Sequence, residues 1–243
     1  MIKKKIGIGI FCFGDDYYFK GTLEKIQHIL NYGFSCFILT DEPDYFENYL
    51  VQVIPYTRSI KSYHDKLILS KYILKECDIC ILIDADIHIT DYSFLSELHK
   101  FSFKEGISYP FSLKNHKTNV SFINELPLET SEWLEYKNYV EKISPNFGDF
   151  STIWENILII NKIGFDDYFY NLYEKLQTIK ESIDIKLGKE IYGCGEGLSI
   201  MISAKHSRIK IEQDQLLFEL FKNKIIDISR RFTPQQFWPE YMK

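Results

Sequence analysis

The run Ile79-Cys80-Ile81-Leu82-Ile83-Asp84-Ala85-Asp86 constrains this chain more than any other segment. Five apolar residues, three of them β-branched, end in two carboxylates separated by one alanine. Such a run reads as a buried strand that delivers acid side chains to the edge of a sheet. Upstream, Ile6 to Phe13 reads as a first strand and Gly14-Asp15-Asp16 breaks it. Leu23, Ile26, Ile29 and Leu30 give Thr22 to Leu30 a helical face, and Phe34 to Leu39 is a second strand closed by Thr40-Asp41-Glu42-Pro43. Val51 to Ile54 is a short strand, and Leu67 to Leu74 has helical spacing. Strand, helix, strand, strand, helix, strand predicts an α/β fold with a mostly parallel central sheet flanked by helices.

In such sheets ligands bind outside the C-terminal strand ends. Phe11 to Asp16, Thr40 to Glu42 and Asp84 to Asp86 are therefore the segments that matter. On a continuous strand Asp84 and Asp86 would point the same way. Together they suit a hard divalent cation, Mn²⁺ or Mg²⁺, that keeps substrate phosphates as further ligands. The plain alternative is a strand-end pair that caps a turn. His88 either joins that shell or simply alternates with Ile87 and Ile89.

Downstream, Ile87 to Thr90 reads as a short strand, Ser93 to His99 as a short helix and Gly106 to Phe111 as another strand. Asn115 to Pro145 is polar and turn-rich around an aromatic helix from Ser131 to Ile143, an inserted excursion that would form an acceptor wall. Trp154 to Asn161 is a late strand and Asp167 to Leu187 the longest helical candidate. A glycine-rich loop, Ile191 to Glu196, leads into a helix from Gly197 to Ala204. We expect one domain over residues 1-243, with a nucleotide-sugar-binding half at 1-112 and an acceptor-binding and catalytic half at 113-243.

The carboxylates of this second half are the candidates for catalysis. Glu196 is flanked by glycines that let backbone approach a ligand closely. It would serve as a general base in an inverting transfer, or stabilise an oxocarbenium-like state or act as nucleophile in a retaining one. Glu155 is the second candidate. Asp149 would bind sugar hydroxyls, and Trp154 and Trp238 would stack on a sugar face. Packing is the plain alternative for both tryptophans, and satisfaction of free helix-end donors is the alternative for Glu196. His206, in Lys205-His206-Ser207-Arg208, would reach the diphosphate or metal from the opposite side, or serve as a turn histidine.

The sequence resembles a glycosyltransferase of the GT-A superfamily. The resemblance rests on Ile81-Leu82-Ile83-Asp84-Ala85-Asp86, on Phe37-Ile38-Leu39-Thr40-Asp41 after the first helix and on the Lys66-Leu67 helix. It extends into Gly148-Asp149-Phe150, Trp154-Glu155-Asn156-Ile157-Leu158-Ile159 and Tyr192-Gly193-Cys194-Gly195-Glu196, and covers most of residues 5 to 210. The ordering is similar to the retaining family of the blood-group A and B transferases and their bacterial relatives. Where that family carries a His-Asp-Glu-Ser-type run, this chain has Gly193-Cys194-Gly195-Glu196-Gly197. The resemblance implies that Phe11, Phe13 and Tyr18 hold the base and ribose of a nucleotide-sugar, with Asp41 and Lys66 also on the donor. It implies Asp84 on the ribose or sugar side, Asp86 on the metal, a UDP-type donor, and a carbohydrate or glycolipid acceptor in surface polysaccharide or lipopolysaccharide synthesis.

Composition narrows the alternatives. The net charge of −5 makes no electrostatic case for nucleic acid. Lys3 to Lys5 and the looser group Lys222, Lys224, Arg230 and Arg231 would meet phosphate or an anionic membrane surface, or form a solvated basic face. No segment reads as a signal peptide or a membrane span, so the expected location is cytoplasmic, at or near the inner face of a membrane. Of five cysteines, Cys77 and Cys80 have C-x-x-C spacing, but no second pair follows and Cys80 lies in the strand, so neither zinc nor redox chemistry is expected. Two other functions share the acid pair or the fold. A sugar-phosphate nucleotidyltransferase would want a basic, glycine-rich loop after the first strand, where this chain has Gly14-Asp15-Asp16. A non-catalytic carbohydrate-binding protein would not need Asp84 and Asp86.

Overall fold

The structure, a computed structural model, describes residues 4–14, 16–56, 66–110, 138–142, 153, 155–161, 167–187 and 196–227. In chain order the elements are β1 (Ile6–Phe11), α1 (Asp16–Asn31), β2 (Ser35–Thr40), a 3-10 turn (Pro43–Phe46), β3 (Gln52–Pro55), α2 (Lys66–Glu76), β4 (Ile79–Asp84), β5 (Ile87–Ile89), α3 (Phe94–Leu98) and β6 (Gly106–Tyr109). There follow β7 (Ile157–Asn161), α4 (Asp167–Leu187), α5 (Glu196–His206), β8 (Ile211–Gln213), α6 (Gln215–Phe221) and β9 (Ile225–Asp227).

The fold is α/β, built on a seven-stranded sheet of order β3-β2-β1-β4-β7-β6-β8. The β3-β2-β1-β4 half is parallel throughout. β7 runs antiparallel to both β4 and β6, so the sheet as a whole is mixed. The parallel half follows from the sequence: Ile79, Cys80, Ile81, Leu82 and Ile83 are all buried, as expected of a strand covered on both faces.

Two glycines in β1 have a packing role. A Cβ on Gly7 would lie 2.5 Å from Ile73 Cγ2, and one on Gly9 would lie 2.6 Å from Ile73 Cδ1 and 2.8 Å from Leu69 Cδ2. Their bare backbone lets α2 settle against the sheet, which sets where the first residue of α2, Lys66, stands.

Compact packing divides the chain into two units. The first holds residues 1–110, 156–163 and 212–243, and the second holds 111–155 and 164–211. α1, α2 and the sheet belong to the first, α4 and α5 to the second.

Several elements differ from their expected bounds. α1 begins at Asp16 rather than Thr22, because its buried face is Phe19, Thr22, Lys25, Ile26 and Ile29, and a threonine and a lysine hide the apolar period. β7 begins at Ile157 rather than Trp154. β8, α6 and β9 were not expected; two are three-residue strands, too short to show a period. α6 is announced only by its cap, Asp214, whose Oδ1 accepts from the backbone N–H of Leu216 and Leu217 at 2.8 and 3.2 Å. Of the 131–143 helix, residues 138–142 are described and 138–142 are helical.

Candidate functional site

The chain order of the parallel strands determines where a ligand crevice opens. β1 leads to β2 and then β3 on one side, and the chain then crosses to β4 on the other side of β1. The strand order therefore reverses between β1 and β4, the place where open α/β sheets bind ligands beyond their carboxyl ends. Register puts Phe11 of β1 beside Asp84 of β4 and beside Leu39 of β2. The acid pair thus stands at the switch point.

The two aspartates do not share one continuous strand, so the same-side orientation that such a strand would give does not apply. β4 ends at Asp84, Ala85 and Asp86 form a turn, and β5 starts at Ile87. The reason is that β5 leaves the main sheet to pair antiparallel with β9. Each carboxylate consequently meets a different helix.

Asp84 meets α2. Lys66 Nζ donates to Asp84 Oδ1 at 2.7 Å and to Oδ2 at 3.0 Å. Lys66 is 5% exposed, so this is a largely desolvated pair. The Asp84 backbone N–H donates to the Asn156 carbonyl at 3.0 Å, which ties the acid to the residue before β7. Lys66 and Asp84, both assigned to the donor from sequence, are brought into direct contact.

Asp86 meets α1. It lines a cleft of about 250 Å³ together with Tyr17, Lys20, Glu24, His88 and Tyr92. Lys25 also lines this cleft, and its Nζ donates to the Ala85 carbonyl at 2.8 Å and to the Gly21 carbonyl at 3.1 Å. Burial lowers the Lys25 pKa from 10.5 to about 8, and attraction to Asp86 offsets part of that drop. Nothing in the sequence singled out Lys25, because a lysine on an otherwise mixed helix reads as solvated.

The expected base-binding aromatics line the end of β1. Phe11 and Phe13 have ring centroids 4.4 Å apart, and Phe13 meets Tyr56 edge-on at 6.3 Å. Phe13 is 4% exposed while Phe11 is half-buried, so only Phe11 offers much of its ring to a ligand. Gly14 has φ +110°, and a Cβ there would lie 3.0 Å from the Tyr18 ring. That glycine turn lets Tyr18 fold against the start of α1. Asp41 is exposed at the end of β2, where the Thr40 hydroxyl accepts the Glu42 N–H at 3.1 Å.

The second unit holds the candidate catalytic carboxylates. Glu196 opens α5 and is 1% exposed, and its Oε1 accepts from the Tyr173 hydroxyl of α4 at 2.5 Å. Gln177 Nε2 donates in turn to the Tyr173 hydroxyl at 3.3 Å. Glu155 is half-buried. A Cβ on Gly197 would lie 2.8 Å from the Ile153 carbonyl oxygen and 3.3 Å from Glu155 Oε2, so the start of α5 passes close against the 153–155 segment. His206 ends α5, and its Nε2 is buried with no hydrogen-bond partner among the described residues. Asp149, Trp154, Trp238 and the 192–195 glycine run lie outside the described residues.

Among the described residues no group of three or more His, Cys, Asp and Glu side chains could hold a metal ion. The donor chemistry at the switch point is two carboxylates with their flanking lysines. The carboxylates fit a hard cation completed by substrate oxygens and water rather than a closed protein cage, and the lysines act on it only through the carboxylates and by repulsion. Cys12, Cys36, Cys77 and Cys80 are all buried. No described helix is long and apolar enough to cross a membrane.

No protein-family profile and no curated protein matches this chain. Among solved structures it is distantly similar to glycosyltransferases. One is the galactosyltransferase LgtC in complex with donor and acceptor sugar analogs, at 13% identity and TM-score 0.46 over 85% of this chain and 72% of that one. Another is mouse xyloside xylosyltransferase 1, at 10% identity and TM-score 0.46 over 86% and 85%. A third is glucosyl-3-phosphoglycerate synthase from Mycobacterium tuberculosis with Mn²⁺, UDP and phosphoglyceric acid, at 11% identity and TM-score 0.45 over 86% and 68%. Likeness at these values does not assign an activity.

Proposed function

We propose that this chain transfers a sugar from a nucleotide-sugar, of UDP type, to a carbohydrate or glycolipid acceptor. The observation that carries this reading is the acid pair at the switch point between β1 and β4, with Lys66 on Asp84 and the half-buried Phe11 ring in register beside it. A base stacked near Phe11 would direct its diphosphate toward the β4 tip, where Asp84 and Asp86 would hold Mn²⁺ or Mg²⁺. When bound, such a cation neutralises charge that builds on a departing diphosphate. Lys66, almost fully buried, donates to both oxygens of Asp84 and so orients the carboxylate. Asp41, exposed at the end of β2, is available to ribose hydroxyls.

For the reacting end we assign Glu155 and Glu196 different tasks. Glu196, buried and held by Tyr173, keeps a fixed orientation that sets the start of α5. Glu155 is half-buried, and so is the carboxylate able to meet an acceptor hydroxyl. Asp149 and Trp154 are assigned to the acceptor, and His206 to the diphosphate side. Surface polysaccharide or lipopolysaccharide synthesis at the inner face of a membrane is the setting this chemistry suits.

A sugar-phosphate nucleotidyltransferase is disfavoured by the acidic run at Gly14-Asp15-Asp16, which would repel a triphosphate. The test is a panel of nucleotide-sugars with simple glycoside acceptors and Mn²⁺, read as release of the nucleoside diphosphate. Release from one donor, lowered at least about a hundredfold in Asp86→Asn, supports the reading. Release that Asp86→Asn leaves intact, or no release from any donor, contradicts it.

A further inference from the structure

Lys25 is an unusual residue to find where it is. It lies 2% exposed on the sheet-facing side of α1. Taking an ammonium out of water is costly unless hydrogen bonds and opposite charge compensate it. A methionine would fill the same space without that cost. What the lysine adds is specific: hydrogen bonds to two backbone carbonyls and attraction to Asp86.

One of those carbonyls belongs to Gly21, a turn back on the same helix. The other belongs to Ala85, sixty residues away, the residue between the two aspartates. Ala85 and Asp86 lie in the turn between β4 and β5, where the parallel ladder that fixes β4 has ended at Asp84. α1 passes near this turn: a Cβ on Gly21 would sit in ordinary contact, 3.5 Å from the Ala85 oxygen and 3.6 Å from Lys25 Nζ.

We infer that Lys25 is a positioning residue for the divalent cation. By holding the Ala85 carbonyl it fixes the angle at which the Asp84 and Asp86 carboxylates leave the turn. This rests on the assignment of that pair to a cation. It also has a sign that separates it from plain electrostatics. A lysine beside a cation site repels the cation, so a lysine acting only through its charge would tighten metal binding when removed. A lysine acting through the turn loosens it when removed.

The test is Mn²⁺ titration at neutral pH, followed by the electron paramagnetic resonance signal of free Mn²⁺, on wild type, Lys25→Met, Ile29→Ala and Asp86→Asn. Ile29 is fully buried on the same helix and serves as a destabilised control. Folded Lys25→Met is expected to bind Mn²⁺ at least tenfold more weakly than wild type, and Ile29→Ala within about twofold of it. Unchanged or tighter binding by Lys25→Met overturns the inference, as does equal weakening in Ile29→Ala. If Lys25→Met does not fold, the wild type decides. Its ¹⁵N-labelled Lys25 ammonium resonance should shift on adding Mg²⁺, and should not shift in Asp86→Asn; no shift in wild type overturns the inference. Absence of any wild-type Mn²⁺ binding that Asp86→Asn removes overturns the cation assignment itself, and this inference with it.

Discussion

At the tip of β4, Asp84 is held by Lys66 through both carboxylate oxygens, in a site where the lysine is almost fully buried. Removing one partner of such a pair strands the other's charge. Lys66→Met is therefore expected to lower stability by about 1–3 kcal/mol, discounted from a fully buried pair because Asp84 keeps some solvent access. A double-mutant cycle with Asp84→Asn, read by urea unfolding, should show coupling of at least about 1 kcal/mol. Coupling near zero would mean the contact contributes little. The cysteines carry a pH prediction. Burial raises the Cys36 thiol from 9.0 to about 12, so the folded chain keeps a proton that the unfolded chain loses from pH 9 upward. The stability this group contributes is complete below pH 9 and is lost as pH rises toward 12. In Cys36→Ala the alkaline fall in stability should be shallower by about 1.4 kcal/mol per pH unit over that window. Identical slopes in wild type and variant would contradict the assignment.

At the scale of elements, α2 is placed by what β1 lacks. Gly7→Ala would put a methyl 2.5 Å from Ile73 Cγ2, an atom on a branched, fully buried side chain. The expected cost is about 1–3 kcal/mol, with a parallel loss of donor affinity because Lys66 moves with its helix. A variant of wild-type stability would show that α2 has room the packing does not display. At the other edge, Asp214 caps α6 and also accepts an ion pair from Lys104 at 3.1 Å. Asp214→Ala should cost about 1–2 kcal/mol in thermal or urea unfolding.

These elements also show why some of the site was legible in the sequence and some was not. β4 and its acids are contiguous, so an apolar run followed by Asp84-Ala85-Asp86 announced the strand and marked the candidate site. Lys66 was marked only by the resemblance to the GT-A superfamily, since by pattern alone it reads as a solvated helix lysine. The turn at Ala85-Asp86 was not legible, since it depends on β5 pairing with β9, a three-residue strand with almost no signature of its own. Lys25 and Tyr173 were invisible for a related reason. Their partners lie 60 and 23 residues away, and a lysine or tyrosine on a helix carries no mark of the contact it will make.

At the scale of the molecule, a parallel β3-β2-β1-β4 half-sheet reverses its order between β1 and β4 and presents there the acid pair that we propose binds a metal with a nucleotide-sugar. The mixed half of the sheet supports this without taking part, since β7 pairs with β4 up to Ile83 and Asn156 then holds the Asp84 amide. The most direct measurement is calorimetric titration of a panel of nucleotide-sugars into wild type and Asp86→Asn, each with Mn²⁺ and again with EDTA. The account predicts binding of one donor class by wild type in Mn²⁺, weakened at least about tenfold by EDTA and by Asp86→Asn alike. Binding that is indifferent to both, or no binding of any nucleotide-sugar under either condition, would contradict it.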